Sequence, residues 1–336
     1  MEFSEKMVRR QLAWRKKNIG DQRYGTQRGQ SRSWILPPEL WEEGLWPGIR
    51  GTSAHSLPAY LSKEKIEKDK AAHNLRSSWA QCANLYFPFQ RDRVMLAGFL
   101  KQHVSSRVES VEAVELEYAA PPPLDPQTLL GEPASGQPGA NQTSPDVAFI
   151  VRTAKGRGLI LAENKLVEHS FYGCSGRKPE VHNPNVKRCL NFGRLYDDLP
   201  HQCYQLDWEQ GARKNRKYWD HLHISARGRK VLKQCPAATA GYQLFRQQAL
   251  AEGIAAAGKY DLVASCVAYD ERNSALIRCL RPAGIDDFRT GWAPLFDGKA
   301  LFAAFSHQEW VAWVKDHDRK GRWADWLLYV SGRYGY

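Results

Sequence analysis

No run of about 18 apolar residues occurs anywhere in the 336-residue chain, so a membrane-crossing helix is not expected. The N-terminus is too basic and polar for a secretory signal, which leads to the expectation of a soluble, cytoplasmic protein. There is no Cys-x-x-Cys pair. The seven cysteines are odd in number and irregularly spaced, which suits reduced thiols better than a disulfide framework. The same spacing argues against a structural zinc, although Cys174, Cys189, Cys203 and Cys235 share one segment with His182, His201 and the close pair His221 and His223. No internal repeat is visible. Acidic residues are outnumbered, 36 against 48 Lys and Arg, giving a net charge of +12 and a pI near 9.3. Such a balance favours a polyanionic partner, nucleic acid ahead of an anionic membrane surface.

The length suffices for one large domain with extensions, or for two domains. Residues 1–70 read as a basic arm and an irregular segment. Nine Lys or Arg precede residue 35, suited to neutralising phosphates or simply to staying solvated. Trp14, Tyr24 and Trp34 interleave with them and suit base stacking or docking on the parent domain. The Trp- and Pro-rich stretch 34–61 reads as irregular chain packed on a core, and the dense charge of 63–70 as an exposed helix. Residues 71–270 hold the expected core, and 271–336 a C-terminal extension packed on it. In that extension Ser306, with Glu309 three residues on, caps a helix running to Lys315.

Within the core, His73–Phe89 carries Leu75, Trp79, Cys82, Ala83 and Tyr86 at helical spacing, and 94–104 is a second helix. Residues 108–118 alternate as a strand, with Val114, Leu116 and Tyr118 on one face and Glu115 and Glu117 on the other, solvent-facing one. Residues 119–145, rich in Pro, Gly, Ala, Gln and Ser, read as a mobile loop. An insertion at 170–237 carries the basic aromatic run Arg213, Lys214, Arg216, Lys217, Tyr218 and Trp219, a candidate nucleic-acid contact that Arg227, Arg229, Lys230 and Lys233 extend. Residues 241–256 form the clearest helix, and 261–269 has the apolar density of a buried strand.

The densest chemistry lies at Ser144–Glu168. Two apolar runs, 147–151 and 159–161, flank Lys155-Gly156-Arg157-Gly158, a hairpin turn by composition. A turn centred near Gly156 sets Asp146 opposite Lys165 and Leu166. Glu163 and Lys165, two apart, leave the same face of their strand. Two carboxylates and one ammonium then meet at the hairpin mouth, a set suited to metal-assisted phosphodiester hydrolysis.

Pro145-Asp146 followed by Glu163-Asn164-Lys165 at the end of the next strand resembles the PD-(D/E)XK motif of the restriction-endonuclease-like nuclease superfamily. The stretch Asn74-Leu75-Arg76-Ser77-Ser78 is similar to the first helix of a bacterial and phage branch of it. The resemblance implies an α/β (α+β) fold: an α-β-β-β-α-β core with a central mixed sheet flanked by helices, here carrying large insertions. It implies Asp146 and Glu163 as ligands of Mg²⁺, replaceable by Mn²⁺, with the Asn164 carbonyl as a further ligand and Lys165 as the catalytic cation. It adds a polar residue on the following helix, for which Gln243 is the candidate; a surface glutamine would read the same. Glu117 is a candidate third carboxylate. A metal-dependent nuclease acting on DNA rather than RNA is therefore expected, in restriction, phage defence or a mobile element. Two alternatives stay open: a nucleic-acid-binding protein of this fold without turnover, and a structural or protein-interaction module. Oligomeric state is also open, a dimer being one way to supply the two sites that double-strand cutting needs.

Overall fold

The computed structural model describes residues 2–133, 142–178, 183, 185–206 and 215–336. Helix α1 (Phe3–Asn18) leads into a small hairpin of β1 (Gly25–Gln27) and β2 (Gln30–Arg32). Short 3-10 turns and α2 (Leu57–Lys63) precede α3 (Ser78–Tyr86) and α4 (Arg93–His103). Strand β3 (Ser110–Leu116), α5 (Pro126–Leu130), β4 (Val147–Thr153) and β5 (Gly156–Lys165) follow. Four short helices, α6 (Phe192–Asp197), α7 (Leu199–Gln202), α8 (Tyr218–His221) and α9 (Ala226–Val231), lie before the long α10 (Tyr242–Ala256) and β6 (Leu262–Tyr269). The chain ends with α11 (Ser274–Ile277), α12 (Phe288–Gly291), β7 (Leu301–Ser306), α13 (His307–His317) and α14 (Ala324–Tyr334).

One five-stranded mixed sheet, ordered β3-β4-β5-β6-β7, organises these elements. β3, β4 and β5 are antiparallel neighbours, whereas β6 and β7 run parallel to β5. The expected order of helix, three strands, helix and strand is present. The fifth strand comes from the segment read as an extension. On one face of the sheet, Phe149, Ile160, Ala162, Ala264 and Phe305 pack with α3, α4, α13 and α14. On the other, Ile150, Leu159, Leu161, Val263 and Val267 pack with α10 and the short helices. Strand β5 lies in the middle and is buried from Gly158 to Lys165, so a charge at its end sits in a largely apolar setting. Helix α10 is stitched across it: Gln247 Nε2 donates to the Leu161 and Cys266 carbonyls at 3.3 and 2.9 Å and to Ser265 Oγ at 3.1 Å.

Several local expectations change. The hairpin turn is Ala154-Lys155, closed by Thr153 Oγ1 accepting from the Lys155 and Gly156 amides; Gly156, Arg157 and Gly158 already belong to β5. Gly158 is needed for close approach, because a Cβ there would stand 2.8 Å from Val151 Cγ2 and 3.0 Å from Leu262 Cβ. The charged stretch 63–70 is not a helix: α2 ends at Lys63, and Lys65 has a left-handed φ of 55°. With few apolar side chains it offers no stripe to bury. Helix α3 starts at Ser78, not His73, because Ser77 caps it by accepting from the Ala80 amide at 3.3 Å; residues 74–77 precede the helix. The stretch 119–145 is not simply a mobile loop. Its described parts hold α5 and bury Leu124, Leu130 and Glu132, with Glu132 bonded to Arg246, Tyr218 and Thr143. Residues 134–141 of that stretch lie outside the described residues. Helix α1 docks on α14: Gln11 Nε2 donates to the Arg333 carbonyl at 2.9 Å, and Trp14 meets Tyr329 edge-on at 5.7 Å. Of the three interleaved aromatics only Tyr24 is exposed. The capping box at Ser306 and Glu309 forms as expected and starts α13.

Candidate active site

The alternation of β5 divides its last three residues between two jobs. Asn164 points to the α3 face, where its Nδ2 donates to the Ser78 carbonyl at 2.8 Å and to Gln81 Oε1 at 3.0 Å. This fixes the strand end against the helix start. Glu163 and Lys165 point the opposite way, toward α10. Lys165 Nζ donates to Glu163 Oε1 at 2.7 Å and to Gln243 Oε1 at 3.0 Å. Gln243, for which a plain helix-surface position was the favoured reading, therefore holds the lysine.

Because Val147 faces Ala162, Asp146 comes beside Glu163 and Asn164, not beside Lys165 and Leu166 as a turn at Gly156 would have it. Its Oδ2 accepts from the Asn164 amide at 2.7 Å. Glu117 is not on a solvent face either. Its backbone is left-handed, with φ 49°, and its carboxylate accepts from Ser144 Oγ at 3.3 Å in the field of Glu163. The strand alternation breaks just where β3 ends.

The electrostatics reflect crowding of like charge. Burial, then repulsion from Glu163, raises Asp146 well above the usual carboxylate range, with Lys165 pulling the other way. Burial and Glu163 push Glu117 up to about 7. Burial by itself lowers Lys165, but Glu163, Glu168 and Asp146 reverse this and hold it above its ordinary value, so it remains an ammonium. Three carboxylates thus share one cation. Hard oxygen donors that repel one another in a largely buried site are a donor set that fits a divalent ion, whose charge would let them all ionise. Among the described residues no three acidic, histidine or cysteine side chains stand close enough to hold a metal as they are. Glu163 is turned onto Lys165, and Asp146 onto the Asn164 amide.

A family model described as restriction endonuclease associating with ARP matches residues 8–335. The chain belongs to this family. No curated protein and no solved structure matches it. The mixed sheet flanked by helices is the restriction-endonuclease-like fold that this membership implies.

For this restriction-endonuclease family member, sequence reading missed the groups that brace the site. His307 Nε2 pairs with the Lys165 carbonyl at 3.1 Å and its Nδ1 with Tyr86 Oη at 3.2 Å; burial lowers its pKa to about 4, so it stays neutral. Gln81 follows Ser78 by three positions, the one helical signal that could have paired them. The expected basic run fares differently. Trp219 is buried against Phe245 and Tyr196, so its ring is not open to stack on a base. Arg216 Nη1 donates to the Gly131 carbonyl and Lys217 Nζ to that of Thr128; Arg213 and Lys214 lie outside the described residues. Cys174, Cys189, Cys203 and Cys235 gather around the α6–α9 region. Burial, then neighbouring thiols, raises Cys189 to about 11 and also lifts Cys235 well above the ordinary thiol range, which keeps them protonated. His182 lies outside the described residues. No helix among the described residues is long and apolar enough to cross a membrane.

Proposed function

We propose that the protein is a PD-(D/E)XK nuclease that hydrolyses phosphodiester bonds in DNA with Mg²⁺, for which Mn²⁺ substitutes, and that it serves restriction or phage defence in the cytoplasm. The observation that carries this reading is the meeting of Glu163 and Lys165 with Asp146 at the exit of the central strand, in a chain of the restriction-endonuclease family. Asp146, Glu163 and the Asn164 carbonyl would hold the ion, with Glu117 as an accessory carboxylate. The ion, when bound, supplies Lewis acidity at the phosphoryl group.

The protein's own residues divide the remaining work. Lys165, held above its ordinary pKa, donates and does not take a proton; it orients the attacking water and offsets charge building on phosphorus. Gln243 sets the direction of its ammonium. Asn164 and His307 keep the strand end from shifting as charge redistributes. The family description adds an association with ARP, which for this chain is part of the proposal.

The test is incubation of the purified protein with plasmid and single-stranded DNA, and with RNA, in Mg²⁺ or Mn²⁺. Cleavage of DNA that Asp146→Ala, Glu163→Gln and Lys165→Ala each abolish, with DNA binding retained, is expected. Binding without cleavage of any form would sink the nuclease reading in favour of a non-catalytic nucleic-acid-binding protein.

A further inference from the structure

The geometry points to the substrate track: we propose that a basic groove between α1 and the exits of β5 and β6 holds the phosphodiester backbone of the DNA. This rests on the nuclease reading of the adjoining site. The groove encloses about 1520 Å³, beyond the roughly 300–1,000 Å³ of small-molecule sites. One wall is α1, which also docks on α14 through Gln11 and Trp14. Lys6, Arg10 and Lys17 line that wall, and Arg76, Arg272 and Arg278 line the other, with Glu2 as the sole acid among the lining residues. Arg272 is paired with Asp270 at 2.5 Å, and the remaining cations still outnumber Glu2; a concave surface with such an excess of one sign focuses its field and draws a polyanion.

Two features tie the groove to the catalytic strand. Val167 and His169, two and four residues past Lys165, form part of its lining, and Asn273, another lining residue, donates from Nδ2 to the Glu168 carbonyl at 2.8 Å. Arg76 precedes by two residues the Ser78 carbonyl on which Asn164 is anchored. Its Nη2 donates to Ser4 Oγ at 2.6 Å, while its Nε is buried with no hydrogen-bond partner among the described residues. Lys6, Lys17 and Arg278 are exposed; Arg278 lies in the field of Asp287 without a close ion pair, and the two lysines present their charge to an external anion. The basic arm thus reaches DNA as one wall of a groove, and the run around Trp219 is not needed for it.

The experiment measures binding of a short fluorescein-labelled DNA duplex by anisotropy, without divalent metal, over a series of salt concentrations. The exposed triple substitution Lys6→Ala, Lys17→Ala and Arg278→Ala is expected to weaken binding by an order of magnitude or more. It should also flatten the slope of log K against log salt by about 2–3, at about 0.9 for each phosphate no longer neutralised. A matched triple on the α9 side, Arg227→Ala, Lys230→Ala and Lys233→Ala, is expected to change both much less. Lys17→Glu alone gives the same direction should the groove triple fold poorly. Unchanged affinity and slope in the groove variants, a larger loss in the α9 triple, or no binding by the wild type at low salt each overturns the groove. The two readings fail separately. A wild type that binds through the groove but never cuts removes the nuclease and keeps the groove, and a groove triple that binds and cuts like wild type does the reverse.

Discussion

Lys165 Nζ and Glu163 Oε1 stand 2.7 Å apart with side chains only 4% and 9% exposed, so the pair is a buried ion pair, fixed in place by Gln243. Removing one partner leaves the other charged in a poor solvent. Lys165→Met is therefore expected to destabilise the metal-free protein by about 3–5 kcal/mol, and Lys165→Met with Glu163→Gln by clearly less. Urea denaturation of the two variants checks this; equal losses would mean that the pair is hydrated.

The raised carboxylates predict a pH dependence in the metal-free protein. Glu117 titrates near 7 when folded, against an ordinary 4.5, and Asp146 is raised as well. A folded state that binds more protons than the unfolded one is favoured at low pH. The contribution is thus fully present below about pH 4.5 and lost as pH rises through about 7. Melting temperatures of wild type and Glu117→Gln, followed from pH 5 to 8 in chelator, should show a fall in the wild type that the variant lacks in part.

Added Mg²⁺ is expected to reverse that trend. Ion binding requires the carboxylates deprotonated and so releases protons, which makes affinity rise with pH up to about 7. Calorimetric titration in two buffers of different ionisation enthalpy reads the proton count; a heat independent of buffer would contradict the shifted carboxylates.

Gln243→Ala removes a hydrogen bond to a charged group, worth about 1.5–3 kcal/mol. If it orients Lys165 for chemistry, kcat for DNA cleavage should fall by about tenfold or more while KM stays near wild type. A change confined to KM would assign Gln243 to substrate binding.

Glu132→Ala should act on stability alone. It leaves Arg246 and Tyr218 without their buried acceptor, a loss of about 3–5 kcal/mol, with proportionate cleavage by the fraction that remains folded. Selective loss of activity would place this connection in the site.

The order of the core elements was legible because each carries its own period: the helical stripe of 242–256, the apolar run of 262–269, the two runs of the hairpin. The motif was legible for the same reason, since Glu163 and Lys165 share a face whatever surrounds them. What the periods could not carry was register. Thr153 closes the turn with its hydroxyl, and Gly158 serves packing, so a turn inferred from glycine alone put Asp146 beside the wrong partner. The bond from Ser144 to Glu117, the pairing of Gln243 with Lys165, and the six cations lining the groove join residues far apart in the chain, and no local pattern records such contacts. Sequence by itself determined which chemistry the chain could hold, because residue type and strand alternation are local. Only the tertiary structure decided which groups meet, because that depends on how α1, α3 and α10 close around the end of β5.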